Sequence, residues 1–179
     1  MIDPETTASQ ATRRVAPRPV SMKHPGAVVK KYPVPFVFIA LFGAAGLAHA
    51  NGCTVPLKSN DAMNYDRTEA TVSASCATIT LELVHAGKMP AAAMGHNVVI
   101  TAAADREGVA RDAIKAGAAN HYAPKNDARV IAATTVIGGG GKTSVTFPGN
   151  KLTPGADYTF FCSFPGHAML MKGKLVVTK

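Results

Sequence analysis

Short alternating segments between residues 77 and 178 are the feature that most constrains the fold of this chain. In Ala77–His85, apolar Ile79, Leu81 and Leu83 fall on one face and polar residues on the other, which is typical of a half-buried strand. Further strand-like runs are Asn97–Thr101, Lys142–Phe147, Asp157–Cys162 and Lys172–Thr178. Turn-forming residues separate these runs: Pro56, Gly87, Gly138 to Gly141, Pro148-Gly149 and Pro154-Gly155. The pattern predicts an all-β fold, an antiparallel sandwich or barrel.

One alanine-rich segment, Asp105–Ala119, interrupts the strand pattern. Three of its charged residues follow one another at four-residue intervals: Glu107, Arg111 and Lys115. This spacing places them on one face of a helix. Asp105 is a candidate N-cap and Gly117 lies near the expected end. We therefore expect a small helical flap inserted into the β domain.

The first fifty residues differ in character from the rest. Residues 1–21 are polar and aperiodic, so we interpret them as a disordered extension or as a segment ahead of the true start, with Met22 as an alternative start. Residues 22–50 combine a basic beginning, a short apolar run and the A-x-A pattern Ala48-His49-Ala50, which is typical of a cleavable secretory signal peptide. An uncleaved membrane anchor is the alternative, but the run is shorter than the about 20 residues that a transmembrane helix needs. Cleavage after Ala50 would release residues 51–179 as an exported domain without stable membrane insertion.

The formal net charge of +8 belongs to two different parts of the chain. Residues 1–50 carry 6 basic and 2 acidic residues, and residues 51–179 carry 13 and 9. The basic residues of the second part are scattered and do not alternate with aromatic residues. Because nucleic-acid binding depends on clustered positive charge, this distribution argues against nucleic acid as a partner.

Three cysteines cannot all pair with one another in a single exported chain. A disulfide between Cys53 and Cys76 would pin the N-terminal strand to the sheet and leave Cys162 alone. A buried, inert thiol is one interpretation of Cys162. Its neighbours favour the interpretation that it binds a metal. Four residues separate Cys162 from His167, and three more separate His167 from Met171. A thiolate, an imidazole and a thioether form a soft ligand set that suits copper.

A second imidazole would complete the His₂Cys site with a weak axial Met that is typical of blue copper. The candidates are His85, His96 and His121. His121 lies in a polar stretch, and His85 ends a strand where a core histidine with a local hydrogen bond is expected. The spacing favours His96, because the preceding Gly95 lets the backbone approach a metal closely and offers its carbonyl as a further weak ligand.

Residues 51–179 resemble the azurins, a family of bacterial blue-copper proteins. The matching pieces are Cys53, Cys76, Ser59–Met63, Met94–Asn97, Ala103–Asp105, Arg129–Ala132, Ser144–Phe147, Phe160–His167 and Met171–Gly173. The resemblance implies an eight-stranded Greek-key cupredoxin sandwich and supports the disulfide. It also implies one copper ion, cycling between Cu(I) and Cu(II), in a periplasmic electron carrier. Its ligands would be His96, Cys162 and His167, with Met171 axial and the Gly95 carbonyl opposite.

The resemblance extends to the surroundings of the copper site. Asn97 is expected to tie the two ligand segments together, and backbone N–H groups near Asn97 and Phe164 to donate to the Cys162 sulfur. An apolar docking patch is expected around His167: Met63, Met89, Met94, Phe164, Pro165 and Met169. Such a patch would serve weak, transient partners, namely c-type cytochromes and periplasmic redox enzymes.

Two other functions compete with electron transfer. A periplasmic copper storage or delivery protein would use the same soft ligands but release the metal readily. A copper enzyme would need further histidine ligands for a second metal, and the chain has none at suitable spacing, so we expect no enzyme activity. Val98 and Ala133 depart from residues common in azurins, a buried Trp and a surface His, and neither change removes a ligand.

Overall fold

A computed structural model of the chain describes residues 52–179. The two predicted leader segments, residues 1–21 and 22–50, lie outside the described residues. The described part contains eight strands: β1 (Thr54–Ser59), β2 (Glu69–Ser73), β3 (Ile79–His85), β4 (Val99–Ala102), β5 (Ala132–Ala133), β6 (Lys142–Phe147), β7 (Tyr158–Phe161) and β8 (Lys172–Thr178). Two α-helices, α1 (Ala91–Met94) and α2 (Arg106–Ala116), lie on either side of β4 in sequence. Within residues 52–179, no helix has the length and apolar character that crossing a membrane requires.

The strands form two sheets, a three-stranded one in the order β1-β3-β6 and a five-stranded one in the order β2-β8-β7-β4-β5. The predicted all-β sandwich is confirmed, but the expectation of purely antiparallel pairing is wrong. β1 pairs parallel with β3, and β2 pairs parallel with β8. The chain leaves the first sheet after β1, forms β2 in the second, and returns as β3. These two reversals of direction leave β1 and β3 parallel.

The apolar residues of β3 face the core, as their alternation with polar residues predicts. Ile79, Leu81 and Leu83 are fully buried, while Glu82 between them is exposed. They pack with residues of the second sheet, such as Phe160 and Leu175, in one cluster between the sheets. Burial of each large apolar side chain contributes about 1.5–3 kcal/mol, so this cluster is the main source of stability.

Pro56 lies inside β1, although the sequence pattern marks it as a turn residue. β1 lies at the edge of the three-stranded sheet, with β3 as its neighbour. A proline lacks the N–H donor, and an edge strand tolerates this loss where the missing donor faces away from the ladder. The turn prediction at this one position is therefore wrong.

The predicted helical flap is present and lies against the outer face of the five-stranded sheet. Val109 of α2 packs on Val99 of β4 and Phe161 of β7, which are partners in the sheet. These strands are consequently buried on both faces: Phe160 points into the main core and Phe161 toward the helix. The flap holds the strand that leads directly into Cys162.

The ends of α2 differ in part from the prediction. Asp105 makes no capping hydrogen bond with its side chain, because it ends a 3₁₀ turn and has a right-handed helical backbone with φ −87° and ψ −15°. A capping residue needs an extended backbone to reach the free N–H groups. Gly117 does end the helix, and its φ of 69° with a ψ of 177° is a backbone conformation that glycine adopts far more readily than other residues.

The disulfide between Cys53 and Cys76 is confirmed, with 5.6 Å between the two Cα atoms. Cys53 precedes β1, and its carbonyl accepts a hydrogen bond from Thr80 of β3. The bond closes a loop with a sequence separation of 23 residues. On the chain-entropy model, a loop of this size stabilises the fold by about 3 kcal/mol.

Candidate metal centre

Three side chains with metal-binding donors meet at one end of the sandwich. Cys162 directly follows β7, His167 lies in the loop from β7 to β8, and His96 lies shortly before β4. β4 and β7 are antiparallel neighbours, so the start of one and the end of the other lie side by side. The backbone of His96 also forms an isolated bridge with Ile137. His96 and Cys162 are fully buried and His167 is 4% exposed.

The donor atoms of these three residues are spaced as the ligands of one ion would be. The Cys162 Sγ atom lies 3.9 Å from His96 Nδ1 and 3.6 Å from His167 Nδ1, and the two nitrogens are 3.2 Å apart. A point equidistant from the three atoms lies about 2.1 Å from each. Imidazole nitrogen and thiolate sulfur bind a first-row ion such as zinc at about 2.0–2.3 Å. The triangle therefore fits a metal ion of this size.

The Nδ1 atoms of both histidines face this point. His96 Nε2 lies 2.9 Å from the Asn60 carbonyl oxygen, which can only accept, so Nε2 holds the ring proton and Nδ1 is free to bind a metal. Burial lowers the pKa of His96 to about 4 and also lowers the pKa of His167. Both rings are consequently neutral at pH 7, as metal ligation requires.

The thiol of Cys162 is held in an apolar setting. Burial raises its pKa to about 11, and hydrogen bonds from the backbone N–H groups of Asn97 and Phe164 oppose part of that rise. A thiolate is therefore favoured here only when a cation balances its charge. Two neutral imidazoles and a thiolate form a soft ligand set that suits copper.

The backbone of Met171 is hydrogen-bonded to both loop ligands, Cys162 and His167. Its backbone N–H donates to the His167 carbonyl at 2.8 Å, and its carbonyl accepts from the Cys162 N–H at 2.9 Å. The side chain is fully buried. Met169, two residues earlier, is 66% exposed and points away from the core.

Gly95 sits where no side chain fits. A Cβ atom built on it would collide with the Ala91 carbonyl oxygen and would lie 2.6 Å from the Val136 side chain and 2.9 Å from the Phe164 ring. The backbone of Gly95 therefore lies close against Phe164 of the loop that carries Cys162 and His167. The constraint is steric, because the φ of Gly95, −72°, is open to any residue.

The two remaining candidate histidines do not join the donor group. His85 stacks on His96 with 4.5 Å between the ring centres, but its own nitrogens are engaged. Its Nδ1 accepts from the Gly87 N–H at 3.0 Å, and its Nε2 lies 3.1 Å from the Met94 carbonyl. It is a core histidine with local hydrogen bonds, as expected. His121 is exposed and outside the group, also as expected.

Asn97 connects the ligand segments through its side chain. Its Oδ1 accepts from the Ser163 N–H at 2.9 Å, and its Nδ2 donates to the Ser163 hydroxyl at 2.8 Å and to the His121 carbonyl at 2.9 Å. Its own carbonyl accepts from the Tyr65 hydroxyl at 2.6 Å. The segment carrying His96 is thus tied directly to the segment carrying Cys162.

Several supporting residues escape sequence analysis. Asn60, Tyr65 and Ser163 each hold part of the site, and Ser163 also donates to the Tyr122 carbonyl at 2.6 Å. The hydrogen bonds that they make within the site join residues 32 or more positions apart in sequence. Only the position of Ser163 beside Cys162 offered a local signal.

The residues expected to form the docking patch differ in exposure. Met169 is 66% exposed, Met89 is 38% exposed, and Pro165 is also exposed. Met63 and Met94 are half-buried, and Met63 packs against the core. Further exposed apolar side chains, not predicted as patch residues, are Leu170 and Ile114, at 66% and 60%.

The comparison with known proteins agrees with this geometry. Residues 51–178 match the family described as copper binding proteins, plastocyanin/azurin family. The chain belongs to this family. The buried group of His96, Cys162 and His167 is consequently its copper site, holding one ion, and the protein is a blue-copper electron-transfer protein.

Individual members of the family are similar over nearly their whole length. An azurin of Achromobacter denitrificans is 51% identical over 137 residues, which cover 76% of this chain and 92% of that protein. Azurin-1 of Alcaligenes xylosoxydans xylosoxydans is 53% identical over 123 residues, covering 69% and 95%. The solved structure of an azurin (Az-iso2) from the obligate methylotroph Methylomonas sp. strain J aligns with a TM-score of 0.68 and 43% identity, covering 71% of this chain and 98% of the other.

Proposed function

We propose that this protein is a periplasmic shuttle that carries single electrons between c-type cytochromes and periplasmic redox enzymes. The observation that carries this proposal is the donor triangle of His96, Cys162 and His167, which is buried and already spaced for one ion. Bound copper supplies a one-electron couple between Cu(I) and Cu(II). The chain supplies everything else: a fixed ligand geometry, an apolar surround and a contact surface.

Fixed geometry keeps the reorganisation that accompanies electron transfer small. Cys162 and His167 come from one loop and His96 from another segment, and the Asn97–Ser163 hydrogen bonds join the two. Asn60 fixes the ring of His96 through its carbonyl. Such supporting hydrogen bonds orient metal ligands and tune their basicity. A site held in this way has little freedom to rearrange when its charge changes.

We assign the weak ligand positions to Met171 and Gly95. Met171 is a fully buried thioether whose backbone is hydrogen-bonded to both loop ligands. Gly95 adjoins His96 and has no room for a side chain, so its backbone approaches the site closely. A long axial thioether is one of the features by which blue-copper sites set their potential.

Electrons would pass through His167 and the surface loop around it. Only 4% of His167 is exposed, so a partner reaches it through the apolar docking patch, whose members are Met63, Met89, Met94, Phe164, Pro165 and Met169. Apolar contact without many specific polar bonds suits partners that bind weakly and leave quickly.

Burial of the ligands favours a carrier over a copper storage or delivery protein. A delivery protein must pass its ion to competing ligands, which need access to it, whereas all three donors here are buried. Within residues 52–179, this is the only group of three or more His, Cys, Asp or Glu side chains spaced to hold one ion. That supports a carrier that holds a single copper ion.

Export would follow from residues 22–50 acting as a signal peptide, with residues 51–179 as the mature domain. The Cys53–Cys76 disulfide supports an oxidising compartment. N-terminal sequencing of protein secreted by an expression host tests this part, and Asn51 is the expected first residue. Protein that remains in the membrane with its leader would contradict it.

Reversible voltammetry of protein loaded with one copper per chain tests electron transfer itself. We expect one reversible one-electron wave and an intense thiolate-to-copper absorption. Cys162→Ser should abolish both the absorption and the wave, whereas Ser75→Ala, an exposed residue near the disulfide, should change neither. Colourless Cu(II) protein would overturn the proposal, and rapid loss of copper to a chelator would favour delivery.

A further inference from the structure

A groove lies between helix α2 and the loop that carries His167. Its volume is about 440 Å³. Its apolar walls come from both sides: Ala110 and Ile114 of α2, and Phe164, Pro165 and Met169 of the loop. Ile114 and Met169 are largely exposed, at 60% and 66%. The groove therefore extends the apolar surface from the edge of the copper site across the helical flap.

Charged residues of α2 line the same groove. Arg106 and Glu107 pair with each other at 3.3 Å, so their charges largely cancel. Arg111 also lines the groove, is exposed, and has no ion-pair partner within residues 52–179. One uncompensated positive charge thus lies beside the apolar surface through which electrons would pass.

We propose that Arg111 selects redox partners that present a carboxylate next to an apolar contact surface, which the groove of α2 and the His167 loop receives. The inference rests on the proposed function and names the partner chemistry of its docking surface. The partner's apolar residues contact Ile114 and Met169, and its carboxylate faces the Arg111 guanidinium. An arginine at such a rim acts mainly on the rate of encounter.

A second copy of this chain does not suit the same groove. Two copies meeting through this face would place two Arg111 side chains in one interface, and residues 51–179 already carry 13 basic against 9 acidic residues. Like charges across an interface suppress association. An acidic partner instead gains from the whole field of the domain as well as from Arg111.

Charge reversal with a matched control tests the proposal. The copper-loaded protein, Arg111→Glu and Lys142→Glu are compared, because both variants change the net charge equally. Lys142 is exposed on β6 of the other sheet and does not line the groove. Stopped-flow measurement gives the bimolecular rate of electron exchange with two probes, a c-type cytochrome of net negative charge and one of net positive charge. Each is measured at low and high ionic strength.

We expect Arg111→Glu to slow exchange with the acidic cytochrome by about tenfold at low ionic strength, and the difference to shrink at high salt. Lys142→Glu should stay within about twofold of the unmodified protein. Exchange with the basic cytochrome should not be slowed by either variant. Arg111→Gln should give an intermediate rate with the acidic cytochrome.

Several results would overturn the proposal. Equal slowing by Arg111→Glu and Lys142→Glu would show an effect of net charge alone, and an unchanged rate would remove Arg111 from the interface. A dimer in sedimentation that Arg111→Glu alters would assign the groove to a second copy. Failure of the proposed function itself looks different, since the unmodified protein would then show no reversible wave and exchange electrons with neither cytochrome.

Discussion

Asn97 and Ser163 are joined by two hydrogen bonds, although they lie 66 positions apart in sequence. The side-chain amide of Asn97 accepts from the Ser163 backbone N–H and donates to the Ser163 hydroxyl. Both residues are buried and each adjoins a copper ligand, His96 in one case and Cys162 in the other. The pair therefore fixes the distance between two ligand segments that share no strand.

Asn97→Leu should lower the free energy of unfolding by about 2–4 kcal/mol, because it leaves the buried Ser163 N–H without a partner and removes two further hydrogen bonds. Denaturant unfolding of the metal-free protein measures this. Asn150→Leu, at an exposed residue in a 3₁₀ turn, is the control and should change stability little. Equal stability of the two variants would show that the amide contributes nothing to the fold.

Gly95→Ala tests the close packing beside His96. The added Cβ would collide with the Ala91 carbonyl and crowd Val136 and Phe164, so we expect a loss of about 1–3 kcal/mol and an altered copper absorption spectrum. Gly52→Ala is the control, since a Cβ there would make only an ordinary contact at 3.8 Å. An unchanged spectrum in Gly95→Ala would argue against a role for this backbone in the site.

Local signals explain which elements the sequence predicts well. β6 and β8 match their predicted bounds, and β3 lies within its predicted segment, because each has alternating or β-branched residues between clear turns. The spacing of Cys162, His167 and Met171 is also local. β5 has only two residues, and β1 contains Pro56, so neither has a recognisable pattern.

Long-range features needed the three-dimensional structure. The parallel pairing of β1 with β3 depends on the path of β2 through the other sheet, which no residue pattern encodes. The contact of Asn60 with His96 spans 36 residues and uses only the backbone carbonyl of Asn60. A contact through a carbonyl leaves no preference for the side chain, and a single sequence therefore cannot indicate it.

An ion-pair cluster on the flap predicts a pH-dependent effect on stability. Hydrogen bonds from Arg129, the larger contribution, and from Lys115 lower the pKa of Asp112 to about 2. An aspartate in the unfolded chain has a pKa of about 3.9. The stabilisation is therefore complete above about pH 4 and is lost as the pH falls through about 2.

Asp112→Asn should accordingly lower the melting temperature at pH 7, and the difference from the unmodified protein should shrink toward pH 2. Thermal unfolding followed by circular dichroism at both pH values measures it. Asp157→Asn is the control, because Asp157 forms no ion pair within residues 52–179. A difference that stays constant with pH would contradict the assigned ion pairs.

Arg106 ties the flap to the ligand loop, because its guanidinium donates to the Ala168 carbonyl at 3.1 Å and its side chain is only 13% exposed. A hydrogen bond from a charged donor that is largely shielded from water contributes about 1.5–3 kcal/mol. We expect Arg106→Met to destabilise the protein by an amount in this range. Amide exchange should also accelerate at Leu170 and Met171, whose N–H groups bond to the His167 carbonyl in the same loop.

Arg111→Met, on the same helix but exposed, should leave both stability and exchange nearly unchanged. Faster exchange throughout the sandwich, rather than in this loop, would show that Arg106 supports the fold in general and does not specifically hold the loop between His167 and Met171.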